Sequence, residues 1–268
     1  QSRLRADPMN RLLVMGSINP LTNEVRLQTL FVIPDAGDLF PRTPGAYAIV
    51  LRDAGGAELA RYPFTPASHA LGRPRPSTRL QQDEDREEEL LAIRELVPYV
   101  EGTVRVDIEG PTGLLKSVTA GSSAPTIQLT SPNGGEVLNG ATVPVSWTAG
   151  DADGDPLRFN VQYSRDNGAT WEMLAQDIEG NNVDLDASNV GSTTQGLFRV
   201  WASDGIHTAY DQSNATFSVP NRAPQVAIIS PADGSTVAIS QTVTFDGTAY
   251  DVDTGEMTPE QLTWTSSL

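Results

Sequence analysis

The chain has 268 residues, with 34 Asp plus Glu against 18 Lys plus Arg, no Cys and two His. Absence of Cys excludes disulfides, thiol nucleophiles, Cys-ligated zinc and iron–sulfur clusters, and a net charge of -16 repels phosphate backbones and anionic lipid headgroups, so neither nucleic acid nor a membrane surface is an expected partner. At 38% hydrophobic and 19% charged residues the chain can build cores, and its length corresponds to about two domains.

Residues 1–120 carry 16 acids and 14 bases, and residues 121–268 carry 18 acids and 4 bases, so nearly all the negative charge lies in the second part. The first part reads as β throughout. Leu12 to Ile18, Val25 to Ile33, Tyr47 to Arg52, Glu58 to Phe64, Thr103 to Ile108 and Leu115 to Thr119 alternate, separated by Asn-Pro, Pro-Gly, Gly-Gly and Pro-Thr-Gly breakers. A Pro-rich and acidic excursion spans about 66–90. The acidic start and apolar end of residues 83–97 suit either a three-turn helix or a charged loop feeding a strand from Leu91 to Val97, and the β neighbours favour the strand. The run Asp83 to Glu89 is read as a solvated loop.

An internal repeat organises the second part. Ala124-Pro125 matches Ala223-Pro224 and Ser131-Pro132 matches Ser230-Pro231; after a one-residue insertion Val143, Val145, Ala149, Asp151 and Asp153 fall on Val243, Phe245, Ala249, Asp251 and Asp253. A period of about 100 residues fits one β-sandwich per repeat. Seven strands are expected in the complete copy, at Ile127 to Leu129, Val143 to Trp147, Leu157 to Tyr163, Trp171 to Leu174, Val183 to Leu185, Phe198 to Ala202 and Thr216 to Val219, with Trp147 and Trp201 in the core. The second copy stops after its first strands, an incomplete sandwich that needs another chain or further sequence to close it. The expected domains are 1–121, 122–221 and 222–268, in a fragment of a longer protein.

The runs APTIQLTSPNGGE, VSWTAGDADGDPLRFNVQYSRDNGATW and FRVWASDGIHTA resemble the immunoglobulin-like repeats, of fibronectin type III and PKD style, of large bacterial secreted and cell-surface proteins. The resemblance covers Ala124 to Leu268. It implies an all-β chain of tandem immunoglobulin-like β-sandwich modules, the last one incomplete, placed outside the cell or at its surface.

Ser164 to Trp171 has the S-x-D-x-G-x-T-W form of the Asp-box. In a single copy it is read as a stabilised hairpin, with Asp166 accepting backbone N–H bonds, Gly168 supplying positive φ and Trp171 packed beneath. Asp151, Asp153 and Asp155 are crowded at alternate positions, the hard-oxygen pattern of calcium without the distal Glu of an EF-hand. With Asp204 from a later loop they are expected beside the linker at Ser122 to Pro125, and Asp251 and Asp253 are expected likewise beside Asn221 to Pro224. His69 and His207 are isolated and read as polar surface. Asn214-Ala-Thr216 is a glycosylation sequon in a host that uses one.

No catalytic motif is present. The function that the resemblance implies is a non-enzymatic structural or adhesive spacer of an exported protein, partnered by protein domains or chains. The rival expectation is a glycan-binding accessory region of a secreted hydrolase, which an exposed row of aromatics drawn from Tyr99, Tyr163, Tyr210 and Tyr250 would support.

Overall fold

In a computed structural model, residues 10–34, 42–68 and 90–265 are described. His69, the acidic run Asp83 to Glu89 and the Pro-rich stretch 69–85 lie outside the described residues. The chain is all-β, built from antiparallel sheets.

The N-terminal part forms a two-sheet sandwich. One sheet pairs β1 (Arg11–Ile18) with β2 (Val25–Leu27), β3 (Phe31–Ile33) and β7 (Leu91–Pro98), and β6 (Ala67–Ser68) joins β7 at the edge. The other runs β5 (Glu58–Phe64), β4 (Tyr47–Arg52), β8 (Arg105–Gly110) and β9 (Gly113–Thr119). Period-2 alternation buries Leu12, Val14, Ile49, Leu51, Ile93, Val106 and Ile108 between them. Residues 91–98 take the strand alternative, because an eight-residue register with β1 places Ile93 and Val97 in this core. The expected strand from Val25 to Ile33 is broken into two.

The central sandwich sets β10 (Thr126–Ser131), β11 (Thr142–Gly150) and β14 (Asn182–Asp186) against β13 (Glu172–Ile178), β12 (Arg158–Ser164), β15 (Thr193–Ser203) and β16 (Thr208–Gln212), with β17 (Phe217–Val219) pairing β15. Its core holds Leu129, Val143, Val145 and Trp147 against Phe159, Val161, Tyr163, Phe198 and Val200. Strand β16 was not expected; its TAYDQ sequence carries no apolar alternation. Trp201 is buried as expected, at 6% exposure, but not between the sheets: Phe198, Val200 and Ala202 point inward, so Trp201 lies on the outer face, where Arg199 and Tyr210 cover it.

The two sandwiches are interlocked. Ile206, at the β15–β16 turn, is fully buried in the N-terminal core, and the Ser203 hydroxyl donates to the Leu30 carbonyl at 2.5 Å. The Val32 amide donates to the Thr208 hydroxyl, and the Thr29 hydroxyl donates to Asp177 across the same boundary.

C-terminally, β18 (Gln225–Ser230), β19 (Asp246–Asp251) and β20 (Gly255–Glu256) form a three-stranded sheet. Its register repeats that of β10 and β11: Val226 faces Ala249 as Ile127 faces Ala149, and both pairs of strands shift register just before the repeated Ser-Pro. The two Ser-Pro bonds are both cis. Burial differs sharply. Leu129 and Val145 are 1% and 0% exposed, whereas their counterparts Ile228 and Phe245 are 65% and 59% exposed, with no facing sheet among the described residues.

Candidate functional site

The loop after β11 and the linker before β10 meet where the two sandwiches join. Asp151, Asp153 and Asp155 each offer a carboxylate oxygen, and these oxygens lie within 4.8 Å of one another. The loop is held by its own backbone, since Asp151 Oδ1 accepts the amides of Asp153 (2.8 Å) and Asp155 (3.3 Å) and Gly154 takes positive φ. Two carboxylates reach the linker: Asp153 Oδ2 accepts from the Ser123 amide at 2.7 Å, and Asp155 Oδ2 from the Gly121 amide at 2.5 Å. The Ser123 backbone bond, with help from the Ser123 side chain, holds the Asp153 carboxyl below its usual range. Gly121 is required sterically, because a Cβ there would fall 2.2 Å from Asp153 Oδ2.

Asp204 directs its carboxylate oxygens to its own turn. Its Oδ1 accepts the amides of Ile206 (2.7 Å) and His207 (2.6 Å), and its Oδ2 meets His207 Nδ1 at 2.8 Å, so it shapes the turn that carries Ile206. His207 is correspondingly not free polar surface. Its side chain is 11% exposed, and the hydrogen bond to Asp204 raises its pKa against the opposing effect of burial. The Asp151 charge acts on it in the same direction.

The loop's counterpart, Asp251 and Asp253, solves the same problem with other partners. Asp251 Oδ1 accepts the amides of Asp253 and Thr254, as Asp151 does in its own loop. Asp253 Oδ1 then accepts from Arg165 Nη1 at 2.8 Å and from the Ser192 amide at 2.6 Å, both in the central sandwich. Gly191 allows this approach; a Cβ there would meet Arg165 Nη1 at 2.4 Å. The third acid of the repeat is missing, Gly255 standing where Asp155 stands.

The first loop fits a hard divalent cation. Asp151 Oδ2 is buried without a hydrogen-bond partner, and three carboxylates sit together with no Arg or Lys bonded to any of them among the described residues. Ligand oxygens about 2.4 Å from one calcium lie no more than about 5 Å apart, as these do.

The Asp-box forms the expected hairpin. Asp166 accepts from the Thr170 amide and hydroxyl at 2.8 and 2.6 Å, Gly168 has φ of 87°, and Trp171 Nε1 donates to the Gly168 carbonyl. Those bonds, led by that of the Thr170 hydroxyl, push the Asp166 carboxyl down to about 2. Among the tyrosines weighed for an exposed row, Tyr163 is fully buried in the core and Tyr210 is exposed. Trp171 and Trp201, expected to serve the hairpin and the core, flank Tyr210 through Arg199. No protein-family model matches this sequence, and no curated protein matches it.

Proposed function

We propose that this chain is a non-enzymatic structural and adhesive spacer of a large exported bacterial protein, working outside the cell or at its surface. In this reading it is a series of immunoglobulin-like modules whose joints are locked by acidic loops, with calcium at the first joint. The observation that carries the reading is the grip of Asp153 and Asp155 on the Gly121 to Ser123 linker, beside the buried crossing of Ile206. A chain built to move at its joints gains nothing from fixing them twice.

The strand order β10-β11-β14 facing β13-β12-β15-β16 supports the immunoglobulin-like reading in its fibronectin type III style. The repeated register of β18 and β19 supports a further module of the same kind, its exposed face closed by a sheet from another protein segment or chain. Asp151, Asp153 and Asp155 would hold the calcium ion, whose charge offsets their mutual repulsion and ties loop to linker. At the second joint Arg165 supplies the positive charge to Asp253, and only two carboxylates, Asp251 and Asp253, stand where the first loop has three.

The test uses the absence of Cys, which allows two introduced cysteines, Lys116→Cys and Gln176→Cys, to carry spin labels on either side of the first joint. The reading expects one narrow distance distribution in millimolar calcium and a broader one in EDTA. A broad distribution unaffected by calcium contradicts it.

A further inference from the structure

The outer face of the larger central sheet carries a second constellation that the joints do not use. Strand register places Gln162 and Gln212 on either side of Arg199, and Asn160 and Tyr210 on either side of Trp201. Trp171 closes the group from the Asp-box hairpin. The Arg199 guanidinium carbon lies 3.9 Å from the Trp171 ring centroid, 4.8 Å from that of Tyr210 and 5.8 Å from that of Trp201. One planar cation thus lies against three aromatic rings, an arrangement favoured by the negative faces of the rings.

Around Arg199 the polar groups offer mainly donors, and the carboxylates of this face, Asp177 and Glu179, lie at its far end beside Arg158. Gln162 Oε1 accepts Trp201 Nε1–H at 2.7 Å, Gln212 Oε1 accepts Arg199 Nη2–H at 3.0 Å, and Asn160 Oδ1 accepts the Asp177 amide at 2.9 Å. With their oxygens engaged, the two glutamines keep their NH2 groups for another acceptor. The charge of Arg199 is likewise unanswered. Of the four basic residues after position 120, Arg158 pairs with Glu179, Arg165 pairs with Asp253, and Arg222 binds the carbonyls of Leu138, Val190 and Gly140. Arg199 has no carboxylate partner among the described residues, and its Nε is buried without a hydrogen bond. A half-buried guanidinium in that state gains from an anionic acceptor.

We propose that this face binds an oligosaccharide of carboxylate-bearing sugars, a uronic-acid type of glycan. The apolar C–H side of a pyranose ring lies on the ring of Tyr210, which is 46% exposed, while the sugar carboxylate meets Arg199 and the glutamine amides. Shape separates this occupant from others. Enclosed small-molecule sites are concave and peptides are taken at sheet edges or in grooves, whereas these residues form an open rank across the middle of a sheet. Although the net charge of -16 disfavours extended polyanions, Arg199 gives this face one local cation with no carboxylate partner among the described residues, and that cation selects a short acidic sugar over a neutral one.

The test titrates tri-galacturonate into the full chain in EDTA, which separates it from the calcium reading, with the methyl-esterified trisaccharide and an Asp/Glu-rich peptide as comparators. Tyr210→Ala removes an exposed ring, and Arg199→Lys keeps the charge but loses the planar stack; thermal unfolding checks that each variant folds. The expected result is saturable binding of the acidic sugar, weakened about tenfold or more by esterification and by Tyr210→Ala. Tyr210→Ala decides the matter if Arg199→Lys does not fold. No saturable binding, equal affinity for the esterified sugar, unchanged affinity in Tyr210→Ala, or tighter binding of the peptide overturns the proposal.

Discussion

Arg165 places Nη1 2.8 Å from Asp253 Oδ1, carrying a cation from the central sandwich into the acidic loop of the C-terminal sheet. The corresponding loop at the first joint has three carboxylates and no such cation among the described residues. Two copies of one loop therefore differ in where their positive charge comes from, and this sets different expectations for the two joints.

At the second joint the expectation is independence from calcium and dependence on Arg165. Arg165→Ala leaves Asp253, whose side chain is 17% exposed, without its counter-charge. Because Arg165 itself is about one-third exposed, solvent screening limits the loss to about 1 kcal/mol, roughly a fivefold change in an opening equilibrium. Hydrogen exchange at the amides of β18 and β19 is the measurement: they should exchange severalfold faster in the variant while those of β12 and β15 keep their rates. Equal acceleration in both regions, or none, contradicts this role.

Ile206 is the apolar half of the first joint. Its removal leaves a cavity in the N-terminal core, so Ile206→Ala should cost about 2–4 kcal/mol in urea unfolding. Since the residue belongs to the central chain segment, the same change should uncouple the two sandwiches and split one unfolding transition into two. A single transition at the parent midpoint would show that the crossing contributes nothing to their coupling.

Two titrations have opposite signs. The folded pKa of His207 is raised above its ordinary 6.5, chiefly by its bond to Asp204. Its contribution is therefore fully present below about pH 6.5 and is lost as pH rises through the folded value. Urea midpoints between pH 5.5 and 9 should fall with pH in the parent chain more than in His207→Gln; superimposable profiles contradict the pairing. Asp166, held down to about 2 first by the Thr170 hydroxyl bond, stabilises the hairpin above its ordinary value near 3.8, and that stabilisation is lost as pH falls toward 2. In Asp166→Asn the loss on acidification from pH 5 to pH 2 should be smaller, and an unchanged acid profile would remove Asp166 from the account.

Much of the fold was legible because its strands obey period 2 between strong breakers. Tyr47 to Arg52 and Glu58 to Phe64 are bounded by Pro-Gly and Gly-Gly, and both strands occupy those limits. Alternation alone does not say which face holds the larger core, so the burial of Trp201 was legible but its place outside the inter-sheet core was not. The signal lay beside it, since Arg199 two positions away shares its face. The acidic loops were legible from the repeat, and so was the placement of Asp153 and Asp155 at the linker. Their partners were not. Arg165 lies 88 positions from Asp253, and Ile206, one apolar residue in the Asp-Gly turn of a hairpin, gives no indication of the core it enters.

Completion of the first joint by calcium is open to a direct measurement, thermal unfolding of the parent chain and of Asp151→Asn in EDTA and in millimolar calcium. An ion that binds only the folded chain stabilises it by about 2.7 kcal/mol at a hundredfold excess over its Kd. The parent should therefore melt several degrees higher in calcium than in EDTA, and Asp151→Asn should lose most of that rise. Identical melting temperatures for the parent in the two buffers would contradict the claim.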